Sequence, residues 1–281
     1  MHVFKGHGTE NDFVVVPDLD GTDELTPELV RALCDRHAGI GADGVLRVVR
    51  SAQHPDARAT ANRAPYFMDY RNADGSIAEM CGNGVRVFVR YLQQAGLVGQ
   101  QTAVATRGGI KAVRVDGTDL TVEMGRPAVV GDCPQVTSHG SGAMRSLASV
   151  QMPNPHVIVL LDSMDELDAI DLSRPPDVVP GLPGGQNVEF LVRTGARELT
   201  MRVNERGVGE TRSCGTGICA VVAAIATADG VGADGVPWQV NVPGGACRVC
   251  WRPDGEIELT GPAVIVAAIE LNEGWLSPPP G

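Results

Sequence analysis

The sequence predicts an α+β protein built as two similar halves, and three observations carry that prediction. Apolar runs of strand length outnumber helical patterns and do not alternate with them, which argues against a βαβ fold. Two stretches, 70–92 (YRNADGSIAEMCGNGVRVFVRYL) and 203–225 (VNERGVGETRSCGTGICAVVAAI), share a glycine-rich lead, a Cys-Gly-x-Gly turn and an apolar helical pattern. The 281 residues, 43% hydrophobic and 20% charged, suffice for two ordinary domains with a sizeable core. With aromatics at only 4%, that core must rest on Val, Leu, Ile and Ala.

Residues 3–4 and 13–16 read as strand around a glycine-bearing turn. Residues 26–37 (TPELVRALCDRH) have a Thr cap, Pro in the first turn and apolar spacing at Leu29, Val30 and Leu33, so a helix is expected. A strand follows at 44–49, then a polar, Ala/Arg-rich insertion at 51–65 expected to be a surface loop. Strand 67–71 runs into an Asn-Ala-Asp-Gly turn, and 85–95 is an apolar helix ended by Gly96. Further strands are expected at 103–106, 111–115, 120–124, 156–161, 189–191, 200–203, 239–242, 248–251 and 257–259, with a helix at 218–229. Gly/Pro-rich connections occupy 126–144 and 175–185, and the first is the natural boundary between halves. The halves are therefore placed at 1–125 and 126–267, and the PPPG tail is expected to fray.

A formal net charge of -11 argues against nucleic acid or an anionic membrane as partner, because either would need a basic face. The N-terminus has no charged segment followed by an apolar run, and no apolar stretch approaches the ~20 residues of a membrane span, so a cytoplasmic home is expected. Seven cysteines show no small-domain disulfide spacing. Cys247 and Cys250 form a CxxC without a second one to complete a zinc site, so no metal is expected. Only Lys5 and Lys111 are available for a pyridoxal Schiff base.

Cys81 and Cys214 stand out because each opens a glycine-rich turn into a helix. The first N–H groups of a helix lack internal partners, and with the helix dipole they favour an anion there by roughly 0.3–1 kcal/mol. Such a place can bring a thiol from about 8.5 into the range of roughly 3.5–7.5. Two thiols a few ångströms apart would share one proton, giving one base and one acid. That is what inverting a carbon centre requires: one removes a proton from one face while the other protonates the opposite face. The carbanion would be stabilised by a carboxylate held on N–H donors in a dry cavity. Cys34 and Cys219 fall in helical patterns and are expected in the core.

Eight motifs then appear in one order: HGTENDF (7–13), GIGADGVL (39–46), NADGSIAEMCGNGVR (72–86), NPH (154–156), QNVEF (186–190), ERGVGETRSCGTG (205–217), VPGG (242–245) and TGPA (260–263). The chain resembles the diaminopimelate epimerase family from end to end. The resemblance implies two similar domains, each a curved, mostly antiparallel sheet around a central helix, with the active site in the cleft between them. It implies that residues 268–281 return to the first domain. It also implies cofactor-independent interconversion of LL- and meso-diaminopimelate, in lysine and peptidoglycan-precursor synthesis, by a homodimer. By position, Cys81 and Cys214 match the acid–base pair, and Gly82, Asn83, Gly215 and Thr216 the donors to the reacting carboxylate. Asn11, Asn72, Asn154, Asn187, Glu205 and Arg206 match the substrate-binding set, with His156 and Glu205 tuning the cysteines.

The sequence departs from the family pattern at Gly44, where many members carry glutamine, at Glu10 beside Asn11, and at Pro153 before NPH. Competing readings are a proline or hydroxyproline racemase with the same cysteine logic, a thiol hydrolase using Cys214 and His156, and a sensor in which Cys81 and Cys214 form a disulfide. The hydrolase leaves Cys81 and the repeat unexplained, and Arg206 with the asparagines suits a distal amino-acid group better than a ring.

Overall fold

The structure is a computed structural model that describes residues 1–272, 274 and 275. The chain divides into two compact units, Met1–Val122 with the stretch from Pro262 onward, and Glu123–Gly261. The tail at 278–281 lies outside the described residues.

In the first unit, β1 (His2–Gly8) and β2 (Asn11–Pro17) form an antiparallel hairpin. Helix α1 (Pro27–Cys34) crosses to β3 (Gly44–Arg50), which lies parallel to β2, and β4 (Tyr66–Asn72) returns antiparallel to β3. Helix α2 (Gly82–Gln94) leads to β5 (Gln101–Thr106), parallel to β4, and then to β6 (Gly109–Asp116) and β7 (Asp119–Gly125) in antiparallel succession.

The second unit opens with β8 (Ala128–Val130), β9 (Gln135–Thr137) and β10 (Met144–Arg145). It then repeats the first. Strands β11 (Ala148–Met152) and β12 (Asn154–Leu160) form the hairpin, and α3 (Met164–Ala169) and the short β13 (Asp177–Val179) precede β14 (Asn187–Gly195), parallel to β12. Strand β15 (Glu198–Glu205) is antiparallel to β14, and β16 (Gly209–Thr211) leads to α4 (Gly215–Ala228). Beyond it, β17 (Trp238–Val242) lies parallel to β15, followed by β18 (Gly245–Trp251) and β19 (Ile257–Pro262). The last strand, β20 (Val264–Glu270), pairs with β1 in the first unit, as β8 pairs with β11 in the second.

Strand periodicity divides each sheet between two helices. Val14, Val16 and Val45 pack with Leu33 and Val30 of α1, and Phe13 and Leu46 on the opposite face reach α2 at Gly84. Val157, Val159, Val188 and Phe190 likewise pack with Leu167 of α3, which turns His156, Asn187 and Glu189 to the face that α4 covers. Every residue of α4 from Gly215 to Ala226 is buried. Burying each large aliphatic side chain contributes roughly 1.5–3 kcal/mol, so these two central helices anchor their units.

Local chemistry sets the helix limits. Thr26 Oγ1 accepts from the Leu29 N–H at 3.2 Å and Pro27 sits in the first turn, as the sequence indicates. The helix expected to reach residue 37 ends at Cys34, because the Asp35 carboxylate takes the N–H groups of His37 and Ala38, each at 2.7 Å. Helix α2 begins three residues earlier than the apolar spacing suggests, since Gly82-Asn83-Gly84 is itself helical. Gly96, at φ 71, closes its C-terminus, with Leu97 N–H bonding to the Leu92 carbonyl at 2.9 Å. The insertion at 51–65 is a packed lobe with two short helical turns, whose Ala57 and Ala64 bury against Phe67 and Ala105.

Candidate active site

Cys81 is the N-cap of α2, with its sulfur accepting the Gly84 N–H at 3.3 Å. It is half-buried, while Gly82, Asn83 and Gly84 behind it are buried. Asn11, the first residue of β2, reaches the same place: its Oδ1 accepts from Cys81 Sγ at 3.5 Å and from Asn83 Nδ2 at 3.2 Å. The orientation of Asn11 is fixed from behind, because its Nδ2 donates to Asp43 Oδ2 at 2.7 Å.

The hairpin that delivers Asn11 is strained. Thr9 and Glu10 form its tip with φ of 49° and 60°, uncommon for any side chain and most of all for a β-branched one. Thr9 is buried, and Arg86 of α2, fully buried itself, donates from Nη2 to Thr9 Oγ1 at 3.2 Å. An ion-pair network supports the other side: Lys5 and Arg36 hold Asp12 at 2.5 and 2.9 Å, and Arg36 bonds to Asp43 at 2.8 Å. Burial works against ionisation of Asp12, but these bonds prevail and hold its carboxyl down at about 2. Burial pushes Cys34, beneath this network, up to about 12, as befits an inert core thiol.

Cys214 is the N-cap of α4, and its setting is buried and acidic. Thr216 Oγ1 lies 3.4 Å from its sulfur and Asn187 Nδ2 donates to it at 3.9 Å. The carboxyl of Glu205, at the end of β15, accepts a hydrogen bond from Thr211 Oγ1 at 2.5 Å and lies beside the Cys214 thiol. Burial first, then the Glu205 and Glu189 carboxylates, push the Cys214 thiol well up. Burial likewise raises Glu205. Behind them His156 bridges two elements: Nδ1 meets Glu189 Oε1 at 2.6 Å and Nε2 meets Asn154 Oδ1 at 3.0 Å.

The structure therefore gathers Cys81, Asn83 and Asn11 in one unit, and Cys214, Thr216, Asn187, Glu205, His156 and Asn154 in the other. Aligning the two Cys-Gly-x-Gly repeats sets Asn72 opposite Glu205, each nine residues before its cysteine, and the two are the last residues of β4 and β15. Asn72 bonds to Ser76 Oγ at 3.0 Å. Asn187 Oδ1 accepts the backbone N–H of Arg206 at 2.9 Å, and the Arg206 guanidinium donates to the Gly184 carbonyl at 3.1 Å. Gly44 is closely packed: a Cβ there would lie 2.5 Å from the Arg71 carbonyl and 2.8 Å from the Tyr70 ring. Asp43, Glu189 and Arg86 were not singled out from the sequence. Glu189 carried a signal, a lone charge inside the apolar run of QNVEFLV. Cys247 and Cys250 fall on opposite faces of β18 by strand alternation, Cys250 bonding to the Gly235 carbonyl.

A profile of diaminopimelate epimerases matches residues 3–130 and 148–266. The chain belongs to the diaminopimelate epimerase family. Diaminopimelate epimerase of Streptomyces coelicolor is 54% identical over 97% of this chain and 96% of its own length, and that of Thermobifida fusca is 49% identical over 95% and 96%. Solved structures show the same α+β fold at lower identity. A phenazine biosynthesis protein of the PhzF family from Bacillus anthracis aligns with TM-score 0.70 at 16% identity, covering 97% of this chain and 99% of that one. A hydroxyproline epimerase from Agrobacterium vitis aligns with TM-score 0.67 at 15% identity, covering 99% and 97%. The family's architecture, two units of like topology each centred on a buried helix, is the one described above.

Proposed function

We propose that the chain interconverts LL- and meso-diaminopimelate, supplying lysine and peptidoglycan-precursor synthesis, with Cys81 and Cys214 as opposed base and acid. The observation that carries the proposal is the duplicated one: each unit ends a strand and loop on a cysteine that caps its central buried helix. Family membership supplies the substrate. In this scheme one thiolate removes the α-proton while the other thiol protonates the opposite face, and the reverse reaction exchanges their roles.

The N-terminal N–H groups of α2 and α4, at Gly82, Asn83, Gly215 and Thr216, hold the carboxylate on the reacting carbon. They oppose the charge that develops on it as the proton leaves. Asn11, Asn72, Asn154, Asn187, Glu205 and Arg206 take the amino-acid group at the far end. Arg206 is suited to a carboxylate, and Glu205 accepts from the ammonium. No cofactor enters this scheme. A homodimer in the cytoplasm is the working assembly we propose on family grounds.

The test is incubation of the reduced protein with LL-diaminopimelate in deuterated water, without pyridoxal phosphate or metal, followed by proton NMR of the α-position. Deuterium uptake with conversion to the meso isomer supports the proposal. Exchange with proline or hydroxyproline instead would place the chain with the ring-substrate racemases.

A further inference from the structure

Glu189 has no part in the scheme above, yet it is among the most unusual residues of the second unit. It is the third residue of β14, fully buried, and turned toward the first turn of α4. Its Oε1 lies so close to that turn that a Cβ on Gly217 would stand 2.6 Å from it. The equivalent position in the first unit is Leu46, third residue of β3, which lies 3.2 Å from where a Cβ on Gly84 would be. The two units thus share a topology but not this residue: apolar beneath one cysteine turn, carboxylate beneath the other.

The partner of Glu189 explains the difference. His156 is also fully buried, and both of its ring nitrogens face oxygens: Glu189 Oε1 at 2.6 Å and Asn154 Oδ1 at 3.0 Å. Asn154 Oδ1 can only accept, so Nε2 donates to it, and one further proton lies between Nδ1 and Glu189 Oε1; on the ring it makes an imidazolium balanced by the Glu189 carboxylate. Among the described residues, Glu205 at the end of β15 and Cys214 at the cap of α4 also face this corner, and neither is a cation.

We propose that Glu189 is a positioning residue, which holds His156 doubly protonated and thereby fixes the carboxamide of Asn154 with its amino group outward. With Oδ1 engaged by His156, Nδ2 is the group Asn154 presents to a ligand, a donor suited to a carboxylate. Loss of the Glu189 charge reverses this. A neutral imidazole carries only one N–H; with that donated to position 189, its Nε2 becomes an acceptor. The Asn154 amide then turns its Nδ2 inward and offers a carbonyl to the ligand carboxylate. The proposal rests on the diaminopimelate reading only for the identity of that ligand.

The test combines ring-nitrogen NMR of ¹⁵N-labelled protein, with the His156 signals assigned by a His156→Gln variant, and steady-state kinetics. In the parent at pH 7.5, both His156 nitrogens are expected at protonated shifts, and in Glu189→Gln only one. The Michaelis constant for LL-diaminopimelate is expected to rise at least about tenfold in Glu189→Gln, a change of about 1.4 kcal/mol, with kcat falling far less. Glu189→Asp should recover part of that loss. A single protonated nitrogen in the parent overturns the proposal even if the variants fail to fold, as does an unchanged Michaelis constant in Glu189→Gln. A doubly protonated His156 in a protein inert toward diaminopimelate would support the relay and overturn the proposed function.

Discussion

Gly84 and Gly217 occupy the same helical position, third in α2 and α4, and the structure predicts opposite outcomes for the same substitution. Neither has a positive φ, so alanine is conformationally acceptable at both and gains roughly 0.5–1 kcal/mol over glycine in a helix. At Gly84 the new Cβ would meet Leu46 Cδ2 at 3.2 Å, a methyl that can give by a few tenths of an ångström. At Gly217 it would stand 2.6 Å from Glu189 Oε1 and 3.3 Å from two further atoms of that side chain, which His156 pins at 2.6 Å. Overpacking of this kind costs typically 1–3 kcal/mol. Gly84→Ala is therefore expected within about 0.5 kcal/mol of the parent, and Gly217→Ala about 1–2 kcal/mol below it. For a domain of this size that is a melting temperature lower by about 2–8 °C, read by thermal denaturation followed by circular dichroism. Equal melting temperatures for the two variants, or a Gly217→Ala protein as stable as the parent, would refute the reasoning.

Other outcomes follow from the same geometry. Cys81→Ala and Cys214→Ala should each lose epimerisation by about 10²–10⁴-fold or more while keeping the parent's circular dichroism, and near-normal turnover in either would remove the two-base scheme. Because burial and then Glu205 and Glu189 raise the Cys214 thiol, its alkylation should be slow at neutral pH and accelerate only in alkali. Glu205→Gln should move that onset to lower pH, as peptide mass spectrometry of iodoacetamide-treated protein would show; an unmoved onset would contradict the assigned cause. The folded-state carboxyl of Asp12 lies at about 2 against an ordinary 3.8, so its contribution is present above pH 3.8 and is lost as pH falls toward 2. Asp12→Asn should accordingly cost about 2 kcal/mol of denaturant stability at pH 6 and almost nothing near pH 2.

The parts of the site that were legible in the sequence are those where local chemistry dictates the answer. Cys-Gly-x-Gly before an apolar run names both the N-cap and the helix behind it. Aligning the two copies placed Asn72 opposite Glu205, the strand ends that the structure makes equivalent. What could not be read depends on which face a strand turns and what covers it. Glu189 is a lone charge in an apolar strand, and only the packing of α4 over that face shows it buried against His156. Asp43 looks like a turn residue until β2 and β3 lie side by side and it becomes the clamp on Asn11. Helix α3 is six residues long, too short for apolar spacing to register, and β20 is an apolar run without alternation. Arg86 reads as the solvated edge of an amphipathic helix, yet it is fully buried beneath the strained Thr9 turn.

The most direct test of the two-base scheme is the isotopic composition of both isomers during the first few per cent of conversion of LL-diaminopimelate in deuterated water. With separate cysteines as base and acid, the meso product should carry solvent deuterium at the inverted carbon while the remaining LL substrate stays protiated. Product that keeps the original hydrogen, or substrate that exchanges before it is inverted, would mean that a single group serves both faces and would contradict the assignment of Cys81 and Cys214.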